Sequence, residues 1–171
     1  MAGVVVAAAA VAAEGGSPVP SEHKQIDIDA SPERVMSVIT DFVAYPQFLP
    51  EMQSADVLRS TPGEWEVRFT VKVIRELTYS LRLVLTEPGR LEWTLIEGTF
   101  KANDGSWTLE SLDGGARTRA TYQLDLQVGM FVPGNIVRSL TERSLPETLE
   151  RFKAEAERRA AVAMAGGVGE A

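Results

Sequence analysis

Apolar residues return at every second position through most of the stretch from residue 52 to 128, and at every third or fourth position on either side of it. Trp65, Val67, Phe69, Val71 and Val73 alternate with Glu66, Arg68, Thr70 and Lys72, which predicts a strand buried on one face. Leu77, Tyr79, Leu81, Leu83 and Leu85 repeat the pattern against Thr78, Ser80, Arg82 and Thr86. Leu91, Trp93 and Leu95 make a third set, Trp107 and Leu109 a fourth, and Ala120, Tyr122, Leu124, Leu126 and Val128 a fifth. A short strand around Val57 ends at Thr61-Pro62-Gly63, and Gln25-Ile26-Asp27-Ile28-Asp29 reads as an earlier one. Turns are expected at Glu87-Pro88-Gly89, Asn103-Asp104-Gly105 and Asp113-Gly114-Gly115. Strands joined this tightly form an antiparallel meander, whose apolar face must be covered.

The helical spacing supplies the cover. Ser31 is placed to cap a helix, with Pro32 at its first position and Glu33 in its first turn. Val35, Val38, Ile39 and Phe42 give that helix one apolar face. The segment from Asp41 to Glu51 follows, with three aromatics and two prolines in eleven residues. Phe42, Tyr45 and Phe48 recur at spacing three and share a face, while Pro46 and Pro50 restrict the residues before them. Such a turn either forms the lip of an apolar cavity or locks a loop into the core. After Val132-Pro133-Gly134, Ile136, Val137, Leu140, Leu145, Leu149, Phe152 and Ala156 line the face of a long C-terminal helix. The stripe slips phase between Leu140 and Leu145, where Pro146 and a Ser144/Glu147 capping pattern predict a kink near 144–146, or two abutting helices, rather than one straight rod. Ala160 to Ala171, rich in Ala and Gly, is expected to fray.

Residues 2–13 are small, apolar and uncharged, and Gly15 to Pro20 reads as linker. The run is too short to span a bilayer, which takes about 20 apolar residues. It suits either a disordered tail of a cytoplasmic protein or, with Ala10-Val11-Ala12 as cleavage site, a signal segment of an exported one; no basic residue precedes it. The expected organisation is a tail over 1–21, one domain over 22–160 and a frayed end over 161–171. A chain of 171 residues, 44% hydrophobic and 24% charged, accommodates one such core.

Composition removes several kinds of chemistry. There is no cysteine, which excludes thiolate nucleophiles, disulfides and Cys-based metal sites. The single histidine, His23, precedes the first predicted strand, where neither a triad nor a His-rich metal site is expected. A net charge of -7 opposes nucleic-acid binding. Arg75-Glu76 reads as a solvated turn pair or, alternatively, as an ion pair at a cavity mouth that contacts a polar head group. Arg138, Arg143, Arg151, Lys153, Arg158 and Arg159 interleave with Glu142, Glu147, Glu150, Glu155 and Glu157, the pattern of a salt-bridged helix face rather than a docking strip. Asp27, Asp29, Asp104 and Asp113 are expected at strand ends or turns, and Asp125 on the outward phase of its strand.

Asp41 with Tyr45-Pro46-x-Phe48-Leu49-Pro50, the Glu97-Gly98-x-Phe100 step, Gly105-x-Trp107-x-Leu109 and the late Leu149-x-x-Phe152-x-x-x-Ala156 together resemble the START-like superfamily. They are most similar to its coenzyme Q-binding and polyketide cyclase/dehydrase group, which also contains bacterial ribosome-association toxins. The resemblance spans about residues 24 to 160. It implies an α+β helix-grip fold, with an antiparallel sheet wrapped around a long C-terminal helix, two short helices after the first strand, and a cavity between sheet and helix for a hydrophobic molecule. The candidate lining is then Phe42, Tyr45, Phe48, Phe69, Val71, Tyr79, Leu81, Leu83, Trp93, Trp107, Tyr122 and Leu124, faced by Ile136, Leu140 and Leu149 from the helix. Tyr79 and Tyr122 are its polar handles, since a buried phenol usually finds a partner.

Three functions compete. The leading one is binding or carriage of an isoprenoid quinone, lipid or polyketide-like molecule without chemistry, needing no cofactor or metal and compatible with transient membrane contact. The second is a polyketide aromatase/cyclase, which would require Tyr79, Tyr122 or Arg82 as acid or base; no residue is assigned a catalytic role. The third is a module docking on the ribosome, which would require an exposed basic face.

Overall fold

The computed structural model describes residues 22–72, 76–127 and 145–166. Seven strands form one antiparallel sheet: β1 (Glu22–Ile28), β2 (Met52–Thr61), β3 (Glu64–Lys72), β4 (Glu76–Glu87), β5 (Arg90–Gly98), β6 (Ala102–Leu112) and β7 (Arg117–Gln127). Their order across the sheet is β1-β7-β6-β5-β4-β3-β2, so β2 to β7 form the expected meander and β1 adds beside β7. Between β1 and β2 the chain crosses to the opposite edge through α1 (Pro32–Ile39), a 3₁₀ turn (Phe42–Ala44) and α2 (Tyr45–Phe48). The last described element is α3 (Leu145–Gly166). This is the α+β helix-grip architecture.

Local chemistry explains the elements. Ser31 Oγ accepts from the Arg34 amide at the start of α1, and Pro32 occupies the first turn, where a missing N–H is harmless. The Pro62-Gly63 pair closes the β2–β3 hairpin because Pro pre-sets a negative φ and Gly63 takes the positive φ of 76° that follows. The inward positions of β3 to β7 are buried, among them Phe69, Val71, Leu81, Leu83, Leu91 and Leu124. Leu145, Thr148, Leu149, Phe152 and Ala156 bury one face of α3, which packs on α1, α2 and β1.

One expected turn is not a turn. Asn103-Asp104-Gly105 lies inside β6, and the reversal falls at Thr99 to Lys101 instead. Asn103 is fully buried and accepts from Trp93, while Asp104 Oδ1 takes the Leu95 amide at 3.0 Å, so both polar side chains serve tertiary contacts rather than a local turn. Asp104 therefore sits inside β6, third from its start, rather than in a turn. Asp125 does face outward. The helix expected to begin near Ile136 is described only from Leu145, with Pro146 in its first turn; Ile136, Leu140 and the residues leading into the kink or helix break expected near 144–146 lie outside the described residues. At the other end, α3 continues to Gly166.

Candidate functional site

Every described aromatic side chain belongs to one connected run of ring contacts between the sheet and α3. Trp65 meets Phe42, Phe42 meets Tyr45 and Phe69, Phe69 stacks on Tyr79 at 5.6 Å, and Tyr79 meets Phe100 at 5.2 Å. From Tyr45 the run passes through Phe48 to Phe152 on α3, then to Trp107, Tyr122 and Trp93. Phe152 touches Tyr45, Phe48 and Trp107, each at 5.3–5.4 Å, and so couples α3 to both the proline-bounded turn and the sheet.

Two glycines shape this interior. Gly105 lies beneath the Trp93 indole, where any Cβ would overlap the ring and the Gln123 carbonyl. The bare strand lets the indole lie flat and donate from Nε1 to Asn103 Oδ1 at 3.1 Å. Gly98, at φ 135°, opposes Tyr79 so closely that a side chain would strike the Tyr79 backbone. The pairing slips by one residue between Ser80 and Leu81, leaving Ile96 as a bulge. Beyond the Trp93–Gly105 pair, β5 and β6 part, β5 staying with β4 and β6 with β7. Asp104 bridges this parting through the Leu95 amide.

The three tyrosines divide into two kinds. Tyr45 donates its hydroxyl to the Ile39 carbonyl at the end of α1. Tyr79 and Tyr122 are only 1% and 3% exposed, yet neither hydroxyl has a hydrogen-bond partner among the described residues. Burial pushes all three phenols above their ordinary pKa, and Tyr45, Tyr79 and Tyr122 lie near enough for charge on Tyr122 to disfavour ionisation of the other two. Asn103, 0% exposed, has its oxygen engaged by Trp93 and its Nδ2 unpartnered.

Of the residues expected to line a cavity, Phe69, Val71, Tyr79, Leu81, Leu83, Trp93, Trp107, Tyr122, Leu124 and Leu149 are all buried in this one core. Phe42 and Tyr45 of the anticipated lip are equally buried, whereas Phe48 is half-exposed and is the member of the trio that reaches the surface. Arg82 lies on the outer face, bonded to Glu64 at 2.8 Å, and is removed from any interior chemistry. Two interior residues with an unpartnered polar atom went unnoticed in the sequence. Asn103 was hidden in a turn-like tripeptide. Glu51, just after Pro50, is buried with Oε2 unpartnered, and it is the only buried carboxylate among the described residues. A Pro-Glu pair at a strand start carries no signal of burial.

Among the described helix charges, Glu155 pairs with Arg158 and Arg159, and Lys153 with Glu157, at the expected spacing, whereas Arg138, Glu142 and Arg143 lie outside the described residues. Arg159 also reaches Asp41 at 2.9 Å. No group of three or more His, Asp or Glu able to hold a metal occurs among the described residues, and none of their helices is long and apolar enough to cross a membrane.

A family model described as polyketide cyclase / dehydrase and lipid transport matches residues 28–153. The ribosome association toxin RatA of Escherichia coli K12 is 32% identical over 98 residues, covering 57% of this chain and 61% of that protein. The chain thus spans about three-fifths of the curated relatives it matches. A START superfamily protein from Mycobacterium smegmatis superposes with a TM-score of 0.67 at 27% identity, over 82% of this chain and 97% of that one. The Zhui aromatase/cyclase from Streptomyces sp. R1128 superposes with a TM-score of 0.70 at 20% identity, over 82% and 94% of the two chains, a likeness of fold.

Proposed function

This chain belongs to the polyketide cyclase / dehydrase and lipid transport family, and from that premise we propose that it binds and carries a hydrophobic small molecule between the sheet and α3, without transforming it. Isoprenoid quinones, lipids and polyketide-like molecules are the candidate cargo. The observation that carries this reading is the pair of buried, unpartnered phenols of Tyr79 and Tyr122. An unsatisfied buried hydroxyl costs about 1–3 kcal/mol, so an apolar interior that keeps two of them is better explained by a missing partner than by packing. Phe48, half-exposed against Phe152, stands at the proposed way in.

Carriage is favoured over catalysis because phenols held above their ordinary pKa are weak acids and weaker bases near neutral pH. Two observations support a cyclase as second reading: Glu51 places a carboxylate in the protein interior, and the fold is shared with the Streptomyces aromatase/cyclase. Ribosome docking, the property in RatA's name, has less support, because the described basic residues of α3 that pair do so with its own acids or with Asp41.

Native mass spectrometry of protein purified from its own host tests the proposal. The expected result is a noncovalent adduct that organic extraction removes and that rebinds when the extract is returned. A chain that carries no adduct, and takes up no hydrophobic probe when one is supplied, overturns it.

A further inference from the structure

We propose that the free edge of β2 pairs antiparallel with the same edge of a second copy of this chain, joining the two sheets across a two-fold axis at Val57.

The sheet has two edges, and the chain treats them differently. β1 lies at one, and α3 covers it: Lys153 Nζ donates to the Asp27 carbonyl at 2.7 Å, and Glu157 Oε1 accepts the Asp29 amide at 2.9 Å. Backbone groups that would otherwise be offered to another strand are thereby engaged. β2 lies at the other edge, and among the described residues its positions 53–61 make no backbone hydrogen bond outside the sheet. This edge is also apolar. Val57 and Leu58 on the strand, and Val43 on the 3₁₀ turn packed against it, are 39%, 49% and 66% exposed. Only Ile96, Val162 and Met164 join them as exposed large apolar side chains among the described residues.

The occupant follows from the charges beside that apolar centre. Pairing with β3 sets the faces of β2: Ala55, Val57 and Ser60 lie opposite the inward Phe69, Val67 and Trp65, and Asp56 and Arg59 lie opposite the outward Arg68 and Glu66. Residues three apart normally point to opposite faces of a strand. Leu58, the extra residue of a bulge, is what brings Asp56 and Arg59 to the same face. A bulge twists an edge and by itself discourages pairing; this one also makes the edge complementary to itself. With Val57 opposite Val57 of a second copy, each Asp56 faces the other copy's Arg59, and Ala55 faces Ser60. Moving the axis one place either way sets Asp56 against Asp56 or Arg59 against Arg59, and directly opposed like charges are unfavourable. The charges therefore select a second copy, and one register of it.

Disulfide trapping tests the pairing, and the absence of cysteine from the chain leaves each introduced thiol without a competitor. Directly opposed Cβ atoms in an antiparallel pair lie about 4.5–5.5 Å apart, close to disulfide reach. Val57→Cys should therefore cross-link under mild oxidation at least about tenfold faster than Ile96→Cys, because a paired edge holds its thiols at an effective concentration of about 1 mM. An equimolar mixture of Asp56→Cys and Arg59→Cys should give the mixed disulfide in excess of either homodimer. Sedimentation of the unaltered protein should show the mass of one chain passing to that of two as concentration rises. Val57→Lys, which sets two ammonium groups against each other, should remain monomeric with an unchanged far-ultraviolet dichroism. A parent chain that stays monomeric up to about 0.1 mM overturns the proposal. So does cross-linking of Ile96→Cys as fast as Val57→Cys, or a mixture of the Asp56 and Arg59 variants in which homodimers prevail.

Discussion

A Cβ at Gly105 would overlap both the Gln123 carbonyl of β7 and the indole of Trp93. Neither neighbour is free to move, because the carbonyl belongs to the sheet backbone and the indole is held by Asn103. Gly105→Ala should therefore cost about 3 kcal/mol, at the severe end of overpacking, and should alter the near-ultraviolet dichroism of Trp93. Urea unfolding checks the first and the spectrum the second; a midpoint equal to that of the parent would show that the strand can shift. The tyrosines show how far residue type alone can inform. Tyr45, Tyr79 and Tyr122 were all readable as inward from alternation or spacing. Whether a hydroxyl is engaged depends on a carbonyl elsewhere in the chain, as Ile39 is for Tyr45. Asn103 was misread for the same reason, since Asn-Asp-Gly favours a turn only where no neighbouring strand offers its groups a better partner.

The C-terminal helix is tied down by a cluster of charges as well as by its apolar face. Glu155, whose side chain is 12% exposed, binds Arg158 and Arg159, and Arg159 continues to Asp41 beside the aromatic turn. Hydrogen bonds from Arg158 and then Arg159 hold the Glu155 carboxyl at about 2, well below its ordinary 4.5, against the opposing effect of burial. A carboxyl depressed in the folded state stabilises the fold above its unfolded pKa. That contribution is present above pH 4.5 and is lost as pH falls from 4.5 toward 2. Stability against urea should decline across that window by about 1 kcal/mol on account of this group, given solvent screening of the arginines. Glu155→Gln should flatten this part of the profile, and an unchanged acid limb in the variant would show that other carboxyls dominate it. The i,i+3 and i,i+4 pairing of this cluster was legible from spacing. Its link to Asp41 was not, because the two residues lie 118 positions apart and meet only when α3 docks beside the turn.

As a whole, the fold closes by pairing the first of its described strands with the last. β1 adds to β7 in register from Glu22–Leu124 to Ile28–Thr118, and Asp27 takes Arg119 across that seam with two hydrogen bonds of 2.8 and 3.0 Å. The sheet, α1 and α3 then share one core, so a ligand held inside it should stabilise the entire molecule. At a hundredfold excess over its Kd, a bound ligand adds about 2.7 kcal/mol, or a rise of about 5–10 °C in melting temperature for a chain of this size. Protein stripped by organic extraction and refolded should melt lower by that margin and recover it when the extract is restored; identical melting of the two would mean that nothing stabilising had been bound. The strands, the meander and the apolar face of the C-terminal helix followed from alternation and helical spacing, because burial on one face imposes a period that the neighbours along the chain display. The seam between β1 and β7, the bulge at Ile96, the parting of β5 from β6 and the solitary hydroxyls of Tyr79 and Tyr122 left no such trace. Each depends on which backbone group lies opposite across the sheet, and that is settled by packing between segments far apart in the chain rather than by any local pattern.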